Sequence, residues 1–108
     1  MRRVFISGPY TQPDVAINVA DAINVADALM EAGFAPYTPH LSHFQHLLRA
    51  RPYEDWLTLD LHWLEQCEAV FRLPGESPGA DRECARAQEL GLPVFSEWGE
   101  LLRWRGDE

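Results

Sequence analysis

A chain of 108 residues with an apolar share of 46% is long enough to close around one core, and a single domain over residues 1–108 is expected. Its formal charge of -8 argues against duplex nucleic acid or an anionic membrane as partner, since both require a broad basic surface. No apolar run approaches the roughly 18 residues of a membrane span, and Met1-Arg2-Arg3 leads directly into a strand pattern instead of a signal peptide's apolar region, so a cytoplasmic location is expected.

Residues 3–7 (R-V-F-I-S) form a short β-branched and aromatic run stopped by Gly8-Pro9, which predicts a central first strand and a tight loop over 8–13. Asp14 is placed to cap a long helix reaching about Ala32, with Gly33 as its terminating glycine. On a wheel of about 100° per residue, its polar residues take half the surface, leaving Val15, Val19, Ala22, Ile23, Ala26, Leu29 and Met30 for the core. The near-repeat of N-V-A-D-A within it has a period of six, which is helix patterning and not a repeat architecture.

Residues 34–37 predict a brief second strand, and 40–52 carry few regular signals, so that segment could serve as a lid. Three histidines fall there at spacing three, His40, His43 and His46. No acidic or cysteine ligand accompanies them, so no metal site is expected and the segment reads as a ligand-facing or exposed loop.

The next helix, 53–66, aligns Tyr53, Trp56, Leu57, Trp63, Leu64 and Cys67 in one apolar stripe with Asp60 at its centre. A carboxylate there loses hydration, so Asp60 is either tied into a hydrogen-bond network or held ready for protonation in a pocket. Trp56, Trp63, Phe44 and His43 are candidates to line such a pocket, against the plainer role of packing.

Residues 69–73 predict the third strand, and L-P-G-E-S-P-G-A-D-R-E (73–83) then reads as strand, small-residue loop and helix start. Amides near Ser77 and Gly79, backed by the positive end of the helix, suit an anion such as a phosphate, which needs no help from net charge. Arg72 and Arg82 bracket this loop, and all nine basic residues of the chain are arginine. Glu83 falls on the flank of the helix's small-residue face (Ala80, Cys84, Ala87, Leu90) and leans towards the body of the protein. Cys67 and Cys84 sit at apolar helix positions without metal-type spacing, so both are expected as reduced thiols and no disulfide is expected. A last strand at 94–96 and a helix at 97–104 complete the pattern, with 105–108 frayed.

Strands alternating with helices predict a parallel α/β sheet covered on both faces, with the ligand site at the carboxyl ends of the strands. That brings together the loop after Ile6, the segment after Tyr37 and the loop after Leu73.

Laid out in this way, the chain resembles the nucleoside 2-deoxyribosyltransferase-like superfamily and, within it, the small 2'-deoxynucleoside 5'-phosphate N-hydrolases. The resemblance covers nearly the whole length and rests on V-F-I-S-G-P-Y (4–10), P-H-L-S-H (39–43), W-L-T-L-D-L-H-W-L (56–64) and G-E-S-P-G-A-D-R-E (75–83). It implies a small flavodoxin-like or Rossmann-like three-layer domain, with a parallel sheet of four or five strands, that cleaves the N-glycosidic bond of a nucleotide without a cofactor. Residue by residue, it implies Glu83 as nucleophile, Asp60 as the helix carboxylate near base and sugar, and Tyr10 as the tyrosine after the first strand. Ser77 and Gly79 match the loop for the 5'-phosphate; Ser7, Gly8, Pro9, His43 and Trp56 join them as expected substrate-binding residues. Association as a homodimer or higher oligomer is implied too. Glu68 departs from the family's usual Asp, which leaves the role of that position open.

Overall fold

Val4 and Ile6 face one side of the first strand and Phe5 the other, and all three are fully buried. That alternation requires cover on both faces of the sheet. The computed structural model, which describes residues 1–106, supplies it. The chain runs β1 (Arg3–Ser7), α1 (Val15–Glu31), β2 (Ala35–Tyr37), a 3₁₀ turn (Pro39–Leu41), α2 (Ser42–Leu48), α3 (Tyr53–Leu64), β3 (Ala69–Arg72), α4 (Pro78–Glu89), β4 (Val94–Phe95) and α5 (Trp98–Gly106). The four strands are parallel in the order β2-β1-β3-β4. On one face Val4, Ile6 and Phe71 pack with Ala22 and Leu29 of α1 and Leu101 of α5. On the other, Phe5 and Val70 pack with Leu64 of α3 and Ala87 of α4. The result is the expected three-layer, flavodoxin-like α/β fold.

Local chemistry sets the element ends. Asp14 accepts a hydrogen bond from the Ile17 amide at 3.1 Å and starts α1, while Gly33, at φ 91°, lets the chain turn back into β2. Ser77 does the same for α4, accepting from the Ala80 amide at 3.1 Å, with Pro78 in the first turn where its missing N–H costs nothing.

Several packing expectations change. Ile23 and Met30 of α1 are exposed, and Val25 joins Ala26 at the core instead. A helix on one sheet face buries a stripe (here Val19, Ala22 and Leu29) narrower than half a wheel. In α3 the buried residues are Leu57, Asp60 and Leu64, whereas Tyr53 and Trp63 are half-exposed at its flanks; Trp63 stacks on Tyr37 at 5.7 Å. Just past α4, Leu90 is exposed, and within it Glu83 takes a central place between Ala80 and Ala87. The segment over 40–52 is not irregular: Pro39 opens the 3₁₀ turn and α2 follows, although α2 buries none of its residues. At the carboxyl end, residues 105–106 continue α5 instead of fraying, and Asp107 and Glu108 lie outside the described residues.

Cys67 is buried, Cys84 half-buried, and neither is in a disulfide. Glu68 accepts from the Arg3 amide at 3.0 Å and from Arg3 Nε at 3.2 Å, so it pins the entry of β1; those bonds hold its carboxyl below the usual range. Among the described residues, no helix is long and apolar enough to cross a membrane.

Candidate active site

From β1 the chain crosses to β2 on one side, while β3 lies on the other, so the carboxyl ends of β1 and β3 splay their loops apart at the switch of strand order. The bases of those loops are locked together. The Leu73 amide donates to the Ser7 carbonyl at 2.7 Å. A Cβ on Gly8 would lie 2.9 Å from Leu73 Cβ, and one on Gly75, at φ 113°, would lie 2.8 Å from Pro9 Cγ. Only glycine permits both approaches. Arg72 braces the second loop from behind: its guanidinium donates to the Leu73 carbonyl, to the Gly75 carbonyl at 2.9 Å and to Asp81 Oδ1 at 3.4 Å. It is a strut within the protein and is not part of the cavity wall, whereas Arg82, ion-paired to Glu54 at 3.1 Å, is.

Above these bases opens a cavity of about 670 Å³, within the size range of small-molecule sites. Gly8, Pro9 and Tyr10 wall one side, Trp56 and Asp60 of α3 another, and Ser77, Gly79 and Glu83 of the α4 start a third. In the first turn of α4, Pro78 has no N–H and the Ala80 amide is engaged by Ser77 Oγ, which leaves the Gly79 amide for a ligand. A side chain at Gly79 would come within 2.5 Å of the Tyr53 hydroxyl. Tyr53 therefore overlies this turn.

Two expected site residues stand one step behind the wall. Ser7 is fully buried and its Oγ bonds Glu83 Oε1 at 2.7 Å, with the Ala80 carbonyl as a second acceptor at 3.4 Å. His43 Nδ1 shares a 2.6 Å hydrogen bond with the Tyr10 hydroxyl. The cavity also takes in His40 and His46 of the histidine segment, Tyr53, which the sequence placed only in an apolar stripe, and Arg51, which it did not single out. His40 is buried, with Nε2 bonded to the Pro9 carbonyl at 3.0 Å and Nδ1 without a hydrogen-bond partner. The three histidines go to three different partners, and no group of three or more metal-binding side chains gathers among the described residues.

The carboxyls of Asp60 and Glu83 lie at this one cavity, 9% and 7% exposed. Burial pushes Asp60 up to about 7. Burial pushes Glu83 up to about 8, with the Ser7 hydroxyl and Arg72 drawing it back and the Asp60 charge raising it further. The surroundings of the two acids differ in kind: Glu83 has a hydroxyl donor, which suits an ionised carboxylate, and Asp60 Oδ1 has no partner at all. On hydrogen bonding, a proton shared by the pair belongs on Asp60, although the deeper burial of Glu83 pulls the other way. Burial also lowers His40, favouring its neutral form.

The strand order and the cavity at its switch point are those of a flavodoxin-like α/β domain. The chain belongs to the family described as Domain of unknown function (DUF7768), whose profile matches residues 2–97. Among solved structures it is similar to a 2-deoxyribosyltransferase from Bacillus psychrosaccharolyticus, with TM-score 0.62 and 17% identity over 85% of this chain and 69% of that one. It is similar also to a 2-desoxiribosyltransferase from Leishmania mexicana, with TM-score 0.65 and 19% identity over 88% of this chain and 63% of that one. The chain thus spans less than two thirds of the second. No curated protein matches it by sequence.

Proposed function

We propose that this protein hydrolyses the N-glycosidic bond of a (deoxy)nucleoside 5'-monophosphate to free base and sugar 5-phosphate, with Glu83 as nucleophile. The observation that carries this reading is the convergence of two buried carboxyls of unequal surroundings, Asp60 and Glu83, on one cavity beside the Ser77–Gly79 turn. Retaining glycoside chemistry uses such a pair, one ionised and one protonated. In the first step the Glu83 carboxylate attacks C1' of the sugar, the bond from C1' to the base nitrogen breaks with its electrons going to the base, and Asp60 gives the base its proton. In the second, water attacks C1', its proton passes to the Asp60 carboxylate, and Glu83 leaves as carboxylate. Positive charge on the sugar ring in both transition states favours an acidic cavity, and a phosphate held at Gly79 would position the sugar.

Tyr10 bounds the same space, fixed by His43, and Trp56 offers a flat apolar wall to the base. The test is a panel of deoxynucleoside and ribonucleoside monophosphates, with released base read by chromatography. Release undiminished in Glu83→Ala would remove Glu83 from this role.

A second reading is favoured by the fold neighbours, both 2-deoxyribosyltransferases: the glycosyl group passes from Glu83 to another base instead of water. An added acceptor base then yields a new nucleoside. A nucleotide-binding module without catalysis would show ligand-dependent thermal stabilisation and no base release. We further propose self-association as a dimer or larger through α2 and α3, whose Phe44, Leu47, Leu48, Leu59 and Trp63 are exposed. Light scattering on the purified protein decides it, a monomer at high micromolar concentration counting against it.

A further inference from the structure

His46 lies on α2 with its imidazole edge-on to the Trp56 ring, the centroids 5.9 Å apart at 71°. Its Nδ1 receives the Trp56 indole N–H at 2.9 Å and the Arg51 backbone N–H at 3.3 Å. Both partners are donors with no lone pair to offer, so Nδ1 must carry its lone pair towards them and the ring proton must reside on Nε2. A second proton on this ring would turn Nδ1 into a donor facing two donors, and both bonds would be lost.

We infer that His46 is a positioning residue, which fixes the Trp56 wall of the cavity through an acceptor that exists only in the neutral imidazole. What makes it matter is the weakness of everything else at this edge. Within one chain α2 buries none of its residues, so no apolar contact of weight seats it against its own body. Two side-chain bonds carry it instead, His43 to Tyr10 and His46 to Trp56, and His46, Arg51 and Trp56 all border the cavity. The charged and titratable groups nearby include Arg51, whose Nε is turned to Asp55 Oδ2 at 3.1 Å, then Tyr53 on α3, which lines the same cavity, and His43 one turn back on α2. Asp55 is thereby neutralised by Arg51. Neither it nor Tyr53 supplies the imidazole with a hydrogen-bond acceptor that would reward a second proton. Protonation of Nδ1 would therefore release the hold on Trp56.

The consequence for binding rests on the function proposed above; the latch itself does not. Long-range proton–nitrogen spectra of nitrogen-15-labelled protein at pH 8 should show His46 protonated at Nε2 and bare at Nδ1. The Trp56 indole proton, assigned with Trp56→Phe, should shift on acidification with the midpoint of His46. In His46→Asn the side-chain carbonyl replaces the acceptor, so the indole signal should stay in place at pH 8 and lose its pH dependence; in His46→Ala it should move at every pH. In turnover of a deoxynucleoside monophosphate, His46→Ala should raise KM about 5-fold with kcat changed less than 2-fold, and His46→Asn should restore KM. A Trp56 indole signal indifferent both to pH and to His46→Ala overturns the latch, and an unchanged KM in His46→Ala overturns its part in binding. The spectra need no nucleotide, so failure of wild type to release base would sink the proposed hydrolase and leave the His46 result standing.

Discussion

The Ser7 hydroxyl and Glu83 Oε1 are 2.7 Å apart, both residues buried, at the point where β1 meets α4. A second acceptor, the Ala80 carbonyl at 3.4 Å, lets the same hydroxyl serve either protonation state of the acid. When Glu83 is ionised, Ser7 donates to it; when Glu83 is protonated, it donates to Ser7, which turns to Ala80. Removing the hydroxyl in Ser7→Ala withdraws the one donor that favours ionised Glu83. About 10-fold loss of kcat is expected, as read from initial rates between pH 5 and 9.

The pair itself sets a bell. Catalysis as proposed needs one carboxyl ionised and the other protonated, so activity should fall on the acid side as both take up protons and on the alkaline side as both lose them. With Asp60 at about 7 and Glu83 at about 8, the maximum belongs between those values, where the form with Glu83 ionised and Asp60 protonated is the less populated of the two singly protonated forms. Asp60→Asn should abolish the alkaline limb along with most of kcat. An optimum below pH 5 would contradict burial as the governing influence.

The same burial predicts a cost in stability. Between its unfolded value of 4.5 and its folded value of about 8, Glu83 binds more proton in the native state than in the unfolded one. Stability contributed by this site is therefore intact below the unfolded value and declines as pH rises towards 8. Glu83→Gln keeps an acceptor for Ser7 and removes the charge. It should be more stable than wild type at pH 8, on the order of 2 kcal/mol, with the advantage shrinking towards pH 4.5. Chemical denaturation at the two pH values checks this.

Gly79→Ala should weaken nucleotide binding, because its methyl would stand 2.5 Å from the Tyr53 hydroxyl at the turn proposed to hold the phosphate. Tyr53 is half-exposed and free to swing out, so the fold should survive. A KM rise of about 10-fold for the monophosphate is expected, against little change for the nucleoside lacking it. Equal losses on both substrates would place the phosphate elsewhere.

Arg72→Gln tests the loop strut. Without the guanidinium, the Leu73 and Gly75 carbonyls and Asp81 lose their shared donor, and the Ser77–Gly79 turn should sample more positions. We expect KM to rise by about 5-fold with kcat retained within 2-fold, and faster amide exchange over 74–80.

Much of this arrangement could be read from the residues. The caps at Asp14 and Ser77 and the apolar run at 69–73 are short-range signals, and the helix and strand they mark appear where expected. Asp60 was conspicuous because a carboxylate in an apolar stripe has few innocent explanations, and it proved buried with Oδ1 unpartnered. The histidines were harder. At spacing three they looked equivalent, and what separates them is tertiary: the 3₁₀ turn buries His40 under Pro9, while His43 and His46 on α2 reach Tyr10 and Trp56. Likewise Ser7 gave no hint of standing behind Glu83, 76 positions away in sequence. Exposure misled at Ile23, Met30 and Leu90, since a wheel reports amphipathic tendency and not the width of the partner that covers it.

The two outermost strands have a bearing on how copies of this chain meet. β2 is three residues long with Pro36 in the middle, and β4 is only two. Proline offers no amide to an incoming strand, and a two-residue rung gives too little ladder to template one. Sheet-to-sheet growth, one route by which an exposed edge recruits a copy of itself, is thus disfavoured at both borders. Any partner has to come in against the helices, where contact is made by side chains and can be altered one residue at a time.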